Sequence, residues 1–290
     1  MRPLDAPGKF DGLRLPTNGI TLHAAVAGPP DGPLVILLHG FPEFWYGWRG
    51  QMAPLAEAGL RILAPDQRGY NLSDKPAGVA AYTLDRLADD VLGLADALGR
   101  ERFLVVGHDW GGVVAWHLAG RNPERISRAV ILNAPHPATL WRYARRHPSQ
   151  LLKSWYVAYF QLPRLPELTL RAGGFWALSR VLRRSSRPGI FPGAELAGYR
   201  EAWAQPGALT AMLNWYRALR LDAGSLPATR IRVPVRVIRG DQDAFLDRGL
   251  AEAGIALCDR GEVFHRRLAT HWVQHEEPEA INRMLTDFLA

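Results

Sequence analysis

Phe103-Leu104-Val105-Val106-Gly107-His108-Asp109-Trp110-Gly111-Gly112 decides the fold. Its opening apolar run suits a strand buried on both faces of a parallel sheet. Trp110 to Ala119 then reads as a helix. Between the two lies Gly-x-Asp-x-Gly, the spacing of a sharp strand-to-helix turn that lifts one nucleophilic side chain above the sheet. Such a turn requires glycine at 107 and 111, because a Cβ at either would collide with neighbouring backbone. A helix starting at Trp110 aims its unpaired N–H groups and positive dipole end at the turn, which favours an anion there. Asp also caps helices without any catalytic role. The strand before it and the two glycines make the nucleophile the better reading of Asp109.

A carboxylate nucleophile restricts the chemistry. It attacks sp³ carbon bearing a strained or good leaving group and forms an alkyl ester. With an acyl substrate it would form an anhydride, so ester, lipid and peptide hydrolysis fall away.

Working outward, strand-like and helix-like segments alternate. Strands are expected at Leu13–Pro16 and Ile20–Ala27, joined by the hairpin signal Asn18-Gly19, and at Leu34–Leu38, Arg61–Ala64, Phe103–Val106 and Ile126–Leu132. Between the fourth and fifth, Thr83–Leu98 carries an apolar helical stripe, with Thr83 placed to cap it and Gly99 to end it. Alternation of this kind argues for an α/β fold, a mostly parallel sheet with helices on both faces. It stops after Asn133. Residues 135–227, rich in Trp, Tyr, Arg and Pro, read as an inserted helical cap with helices at Leu151–Gln161 and Leu209–Leu219. Strands resume at Val233–Ile238 and Val263–Leu268, and Pro278–Leu289 closes the chain as a helix. The expected division is a core of 1–134 and 228–290 with the cap between, since structureless loops of that length are rare in compact domains.

The remaining catalytic groups follow from chain order. His271 lies after the last strand and before the last helix, where a general base that activates water belongs. His265 and His275 are the alternatives, both better read as structural. Asp243, just past strand 233–238, would orient His271, with Asp241 and Asp247 as competitors. Asn133 occupies the end of the preceding strand, so the acid must come from the 241–247 loop. After strand 34–38 comes His39-Gly40-Phe41-Pro42. There the N–H of Phe41, with that of Trp110, would form an oxyanion hole. Pro42 has no N–H.

These residues resemble the α/β-hydrolase-fold epoxide hydrolases. The resemblance covers nearly the whole chain: His39-Gly40-Phe41-Pro42-Glu43-Phe44-Trp45-Tyr46-Gly47-Trp48, Asp66-Gln67-Arg68-Gly69-Tyr70, Gly107 to Gly112, Asn214-Trp215-Tyr216-Arg217 and the His271 segment. It implies a cis peptide before Pro42 and two cap tyrosines that hydrogen-bond the epoxide oxygen. By motif these match Tyr156 and Tyr216, with Tyr143 and Tyr159 also available in the cap. It further implies conversion of an epoxide to a vicinal diol, with no cofactor and no metal. Phenols stay protonated at neutral pH and donate to a developing alkoxide. Haloalkane dehalogenases share the elbow Asp and the Trp after it but resemble this chain less. Their halide site has Asn where Phe41 stands, and haloacetate dehalogenases carry arginines where Trp110 and Val113 stand. A binding protein on a retired hydrolase scaffold would be expected to lose a member of Asp109, Asp243 and His271.

Composition bounds the rest. The 290 residues are 48% hydrophobic and 22% charged, ordinary for a globular protein with a large core. One cysteine, Cys258, permits no intrachain disulfide and fits a reducing, cytoplasmic location. Met1 to Gly12 has no apolar signal-peptide segment, and no run of apolar residues suffices for a membrane span. The net charge of +7 comes from arginine, since Lys9, Lys75 and Lys153 are the lysines. No nucleic-acid fold motif accompanies it, so no nucleic-acid partner is expected. The aromatic cap points to an apolar or aryl epoxide as the small-molecule substrate.

Overall fold

Eight strands line up in one sheet: β1 (Asp11–Thr17), β2 (Ile20–Ala27), β3 (Leu34–Leu38), β4 (Arg61–Pro65), β5 (Phe103–His108), β6 (Ile126–Leu132), β7 (Val235–Gly240) and β8 (Gly261–Arg266). The computed structural model describes residues 10–222 and 230–290. The strand order is β1-β2-β4-β3-β5-β6-β7-β8. β1 and β2 form a hairpin about Asn18-Gly19, and β2 pairs antiparallel with β4. All later pairings are parallel. Every residue of β3, β5 and β7 is buried. The architecture is the α/β fold expected, a mostly parallel sheet with helices between its strands.

Among the described residues are twelve α-helices: α1 (Arg49–Glu57), α2 (Leu84–Ala97), α3 (Trp110–Arg121), α4 (Pro137–Ala144), α5 (Pro148–Lys153), α6 (Trp155–Tyr159), α7 (Leu165–Arg184), α8 (Gly193–Trp203), α9 (Ala208–Asp222), α10 (Gly249–Ile255), α11 (Val273–Glu276) and α12 (Pro278–Leu289). Six of them, α4 to α9, stand between β6 and β7. The boundary expected at 227 and 228 lies outside the described residues.

Three local expectations differ from the structure. Thr83 precedes α2, but its side chain makes no capping bond. The carboxylate of Asp222, at the far end of α9, accepts the Leu84 N–H instead, at 3.3 Å. The single helix expected over Leu151–Gln161 is two short ones, parted at Ser154. Gln150 is fixed to the 243–247 loop through Phe245 O (3.0 Å) and Asp247 N (2.7 Å), and its amide also donates to Ser154 Oγ at 2.9 Å, where the two helices part. Strand β7 starts two residues late, because Pro234 has no N–H for the ladder. Its partner β8, whose Gly261 pairs with Val235, is set accordingly and stops at Arg266.

The turn after β5 is as tight as its glycines imply. A Cβ on Gly107 would lie 2.2 Å from the Gly111 carbonyl oxygen, and one on Gly111 would lie 2.1 Å from that of Leu38. Both contacts are backbone and cannot yield. Asp109, at the apex, takes φ 50° and ψ −120°, a costly conformation for a residue with a side chain. Replacing Gly111 with Ala is expected to lower stability by about 1–3 kcal/mol or more, as overpacking does. Urea unfolding of the variant checks this, and an unchanged midpoint would contradict the packing account.

Candidate active site

The parallel strands deliver their functional side chains to one edge of the sheet, the carboxyl ends, where open α/β sheets bind ligands. Asp109 follows β5, Asp243 follows β7 and His271 follows β8. The segment His39 to Pro42 follows β3, with a cis bond between Phe41 and Pro42. Asp109 stands at the helix N-cap position, yet its side chain makes no capping bond to α3. Its Oδ1 instead accepts the Phe41 N–H at 2.8 Å. The N–H of Trp110 opens α3, where no intrahelical carbonyl can pair with it.

His271 is buried between two carboxylates. Its Nδ1 lies 2.9 Å from Asp243 Oδ2, and its Nε2 lies 3.6 Å from Asp109 Oδ2, too long for a direct hydrogen bond. The competitors are occupied elsewhere. Asp241 sits 2.7 Å from His265, and Asp247 accepts from Ser149 and pairs with Lys153. His275 bonds Glu43 at 2.7 Å. Tyr159 reaches Thr169, and Tyr143 stacks on His147.

Above Asp109 the inserted helices close a cavity of about 210 Å³. Asp109, Trp110, Tyr156 and Tyr216 line it, and so does the half-exposed Trp141. The Tyr216 ring packs edge-on to Phe41 (5.3 Å), Trp110 (5.1 Å) and Tyr156 (5.9 Å). Burial, reinforced by the Asp109 charge, pushes both phenols far above the usual tyrosine range. Both are therefore held in the neutral form. Among the described residues no cluster of His, Cys, Asp and Glu is arranged to hold a metal ion.

A family model for the alpha/beta hydrolase fold matches residues 33–278. The AB hydrolase superfamily protein YfhM of Bacillus subtilis is 50% identical over 273 residues, covering 94% of this chain and 96% of that one. Epoxide hydrolase 4 of Mus musculus is 35% identical over 283 residues, covering 96% of this chain and 78% of that one. The crystal structure of Bacillus megaterium epoxide hydrolase in complex with an inhibitor matches with a TM-score of 0.87 at 28% identity, over 96% of this chain and 99% of that one. The chain belongs to the α/β-hydrolase-fold epoxide hydrolase family.

Several residues of this family member support the site without having been read as supports in the sequence. Asn133, at φ 42° after β6, donates to Asp243 Oδ2 at 2.6 Å and accepts from Gly240 N at 3.1 Å. Phe245 and Leu246 donate their N–H groups to Asp243 Oδ1 at 2.7 and 3.1 Å. Behind the site, His108 Nε2 meets the His271 carbonyl at 2.9 Å, and its Nδ1 faces Glu43 at 3.5 Å. Glu43 also accepts from Tyr199 of α8 at 2.7 Å and from Gln274 at 3.1 Å. Burial would raise the Glu43 pKa, but His275 and His108 hold it well below the usual carboxylate range. One signal was available in the sequence: an acidic residue in a strongly aromatic stretch, Glu43, is buried only if paired.

Burial opposes charge on His271, yet the carboxylates of Asp243 and Asp109 outweigh it and raise its pKa to about 10. Burial likewise opposes charge on Asp243, but His271, Asn133 and the Phe245 N–H lower it to about 2. Because the folded pKa of His271 lies above its ordinary value of 6.5, its imidazolium contributes stability fully below about pH 6.5. That contribution fades as pH rises through about 10. The Asp243 contribution runs the other way, present above its ordinary 3.8 and lost as pH falls through about 2. NMR titration of the free protein is expected to show His271 still charged at pH 8. Replacing Asp109 with Asn should bring its midpoint down. A midpoint that does not move would mean Asp109 has no electrostatic hold on the ring.

Proposed function

We propose that this chain is an epoxide hydrolase that opens an apolar or aryl epoxide to a vicinal diol through an ester on Asp109. The observation that carries the reading is the cavity in which a carboxylate backed by His271 and Asp243 shares the lining with two neutral phenols. We take residues 135–227 as a cap over a core of 1–134 and 228–290, with Tyr156 and Tyr216 its catalytic contribution.

Asp109 attacks one epoxide carbon from behind the C–O bond. As that bond breaks, a phenol of Tyr156 or Tyr216 gives its proton to the departing oxygen, and a hydroxyalkyl ester forms with inversion at the attacked carbon. Esterification removes the Asp109 charge, one of the causes that raise the His271 pKa. The imidazolium then becomes acidic enough to return a proton to the phenolate. Neutral His271, oriented by Asp243, takes a proton from water as the hydroxide adds to the ester carbonyl. The N–H groups of Phe41 and Trp110 hold the resulting oxyanion. Collapse expels the diol oxygen, which takes the carboxyl proton, and restores Asp109 and the imidazolium. The net reaction is epoxide plus water to diol, with no cofactor.

A single turnover in ¹⁸O-water is expected to leave the diol unlabelled and the Asp109 peptide labelled. Replacing His271 with Ala should trap the ester as a protein mass gain of one substrate. Label in the first diol formed, with no adduct, would reduce Asp109 to a base at most. A haloalkane and fluoroacetate assayed beside styrene oxide and aliphatic epoxides test the dehalogenase alternative, since halide release without diol formation would favour it.

Replacing Tyr156 or Tyr216 with Phe removes one donor to the alkoxide. Ester formation, followed by rapid-quench kinetics, is expected to slow about 10²–10³-fold, as losing an oxyanion donor typically does. Wild-type alkylation rates in both variants would remove the tyrosines from the mechanism.

A further inference from the structure

The charge of the chain is unevenly placed. Residues 135–227 hold 13 of the 35 Lys and Arg but 4 of the 28 Asp and Glu, a formal +9, while the rest of the chain comes to −2. Apolar exposure follows the same division. Of the 12 large apolar side chains exposed among the described residues, 10 lie between Trp141 and Leu221. Leu152, Trp155, Leu168 and Trp176 are 76%, 66%, 68% and 61% exposed.

Scattered apolar residues on a surface need no explanation, but several of these are linked. The Trp155 ring lies 6.1 Å from that of Tyr159, whose hydroxyl meets Thr169 Oγ1 at 2.5 Å. Thr169 follows Leu165 and Leu168 on the same stretch of α7. Past it the helix breaks, with Gly173, Gly174 and Phe175 in three successive left-handed conformations (φ 57°, 64° and 64°). Beside this break is a concavity of about 620 Å³, lined by Trp176, Ser179, Arg180, Arg183, Arg184 and Arg200. No carboxylate lines it. Arg180 lies over the Trp176 ring at 5.0 Å. Arg183 and Arg200 use Nε to reach Phe191 O and Ser179 Oγ, both at 3.3 Å, which leaves their terminal amino groups for an anion.

Exposed Leu and Trp side chains beside guanidinium groups form a face suited to the headgroup–acyl boundary of a membrane. We propose that the outer face of α5 to α7 docks on an anionic phospholipid bilayer. Leu152, Trp155, Leu168 and Trp176 enter the boundary layer, and the arginine-lined concavity takes phosphate headgroups. This is surface docking, since no described helix is long and apolar enough to cross a membrane. A nucleic acid would use the arginines but has no need of an exposed Leu152 or Leu168. A second copy of the chain would bring a like-charged face. The proposal rests on the epoxide hydrolase reading only for its purpose: an apolar epoxide dissolved in the bilayer would enter beside Trp141, which lines the cavity shared with Asp109.

Vesicle co-sedimentation of the full chain tests it. Vesicles of phosphatidylcholine with phosphatidylglycerol are expected to bind the protein, less as salt rises, and phosphatidylcholine alone to bind it weakly. Replacing Arg180, Arg183 and Arg184 together with Gln should lower partitioning onto the anionic vesicles roughly a hundredfold. The pair Leu152→Ser and Trp155→Ser should also weaken it, with thermal melting confirming that each variant is folded. Turnover of a water-soluble epoxide should be unchanged in both variants. No binding to anionic vesicles at low salt would overturn the proposal. So would undiminished binding by both folded variants, or a DNA duplex bound more tightly than vesicles. Vesicle binding by a chain that opens no epoxide would sustain the docking face and refute the catalytic reading instead.

Discussion

An imidazole buried between two carboxylates is the constraint on which the site depends. Taking one ion out of water costs several kcal/mol unless geometry and hydrogen bonds compensate. Here the compensation comes from separate strands. Asp243 receives His271, the Asn133 amide and two backbone N–H groups. Asp109 receives the Phe41 N–H. The parallel order β3-β5-β6-β7-β8 places the ends of all five strands side by side. Shifting one of them by a residue would turn its end the other way and leave a buried charge without its partner.

What was legible in the sequence was what is written locally. The spacing of Gly107 and Gly111 about Asp109 is written within five residues, so the turn and the place of Asp109 could be read directly, although the backbone that Gly111 approaches is that of Leu38. The exact match of α12 and β3 to expectation has the same origin, since Pro278 starts one and the unbroken apolar run Leu34–Leu38 marks the other. Choosing among Asp241, Asp243 and Asp247 was harder, because all three are acids in one short loop. What separates them is distant: His265 takes Asp241, while Ser149 and Lys153 take Asp247. Asn133 and His108 were illegible as supports for the same reason, and for Glu43 the sequence signalled a paired acid without naming its distant partners. The capping of α2 by Asp222 shows the limit, since a local rule named Thr83 and a residue 138 positions away from Leu84 supplied the bond.

The inserted helices shape the electrostatics of the site as well as its walls. Burying Tyr156 and Tyr216 beside Asp109 makes their ionisation unfavourable, so the negative charge stays on the carboxylate. A donor and an anion then coexist in one small volume without exchanging a proton. An exposed phenol would be equally protonated at neutral pH, but water would compete with it for the same oxygen.

The segment after β3 binds both layers of the molecule. Pro42 O accepts the Trp203 indole, Glu43 accepts Tyr199, and the Phe41 ring packs on Phe160 and Tyr216. Further along, Arg68 O accepts the Trp215 indole. The insert is therefore not an interchangeable module. A chimera that transplants helices from a relative inherits indoles and phenols cut for another loop, and it strands the acceptors left behind at positions 42, 43 and 68 of the recipient without their mates. Positions 41 to 43 and 68 must travel with the graft, so the natural unit of recombination in this chain straddles the two layers.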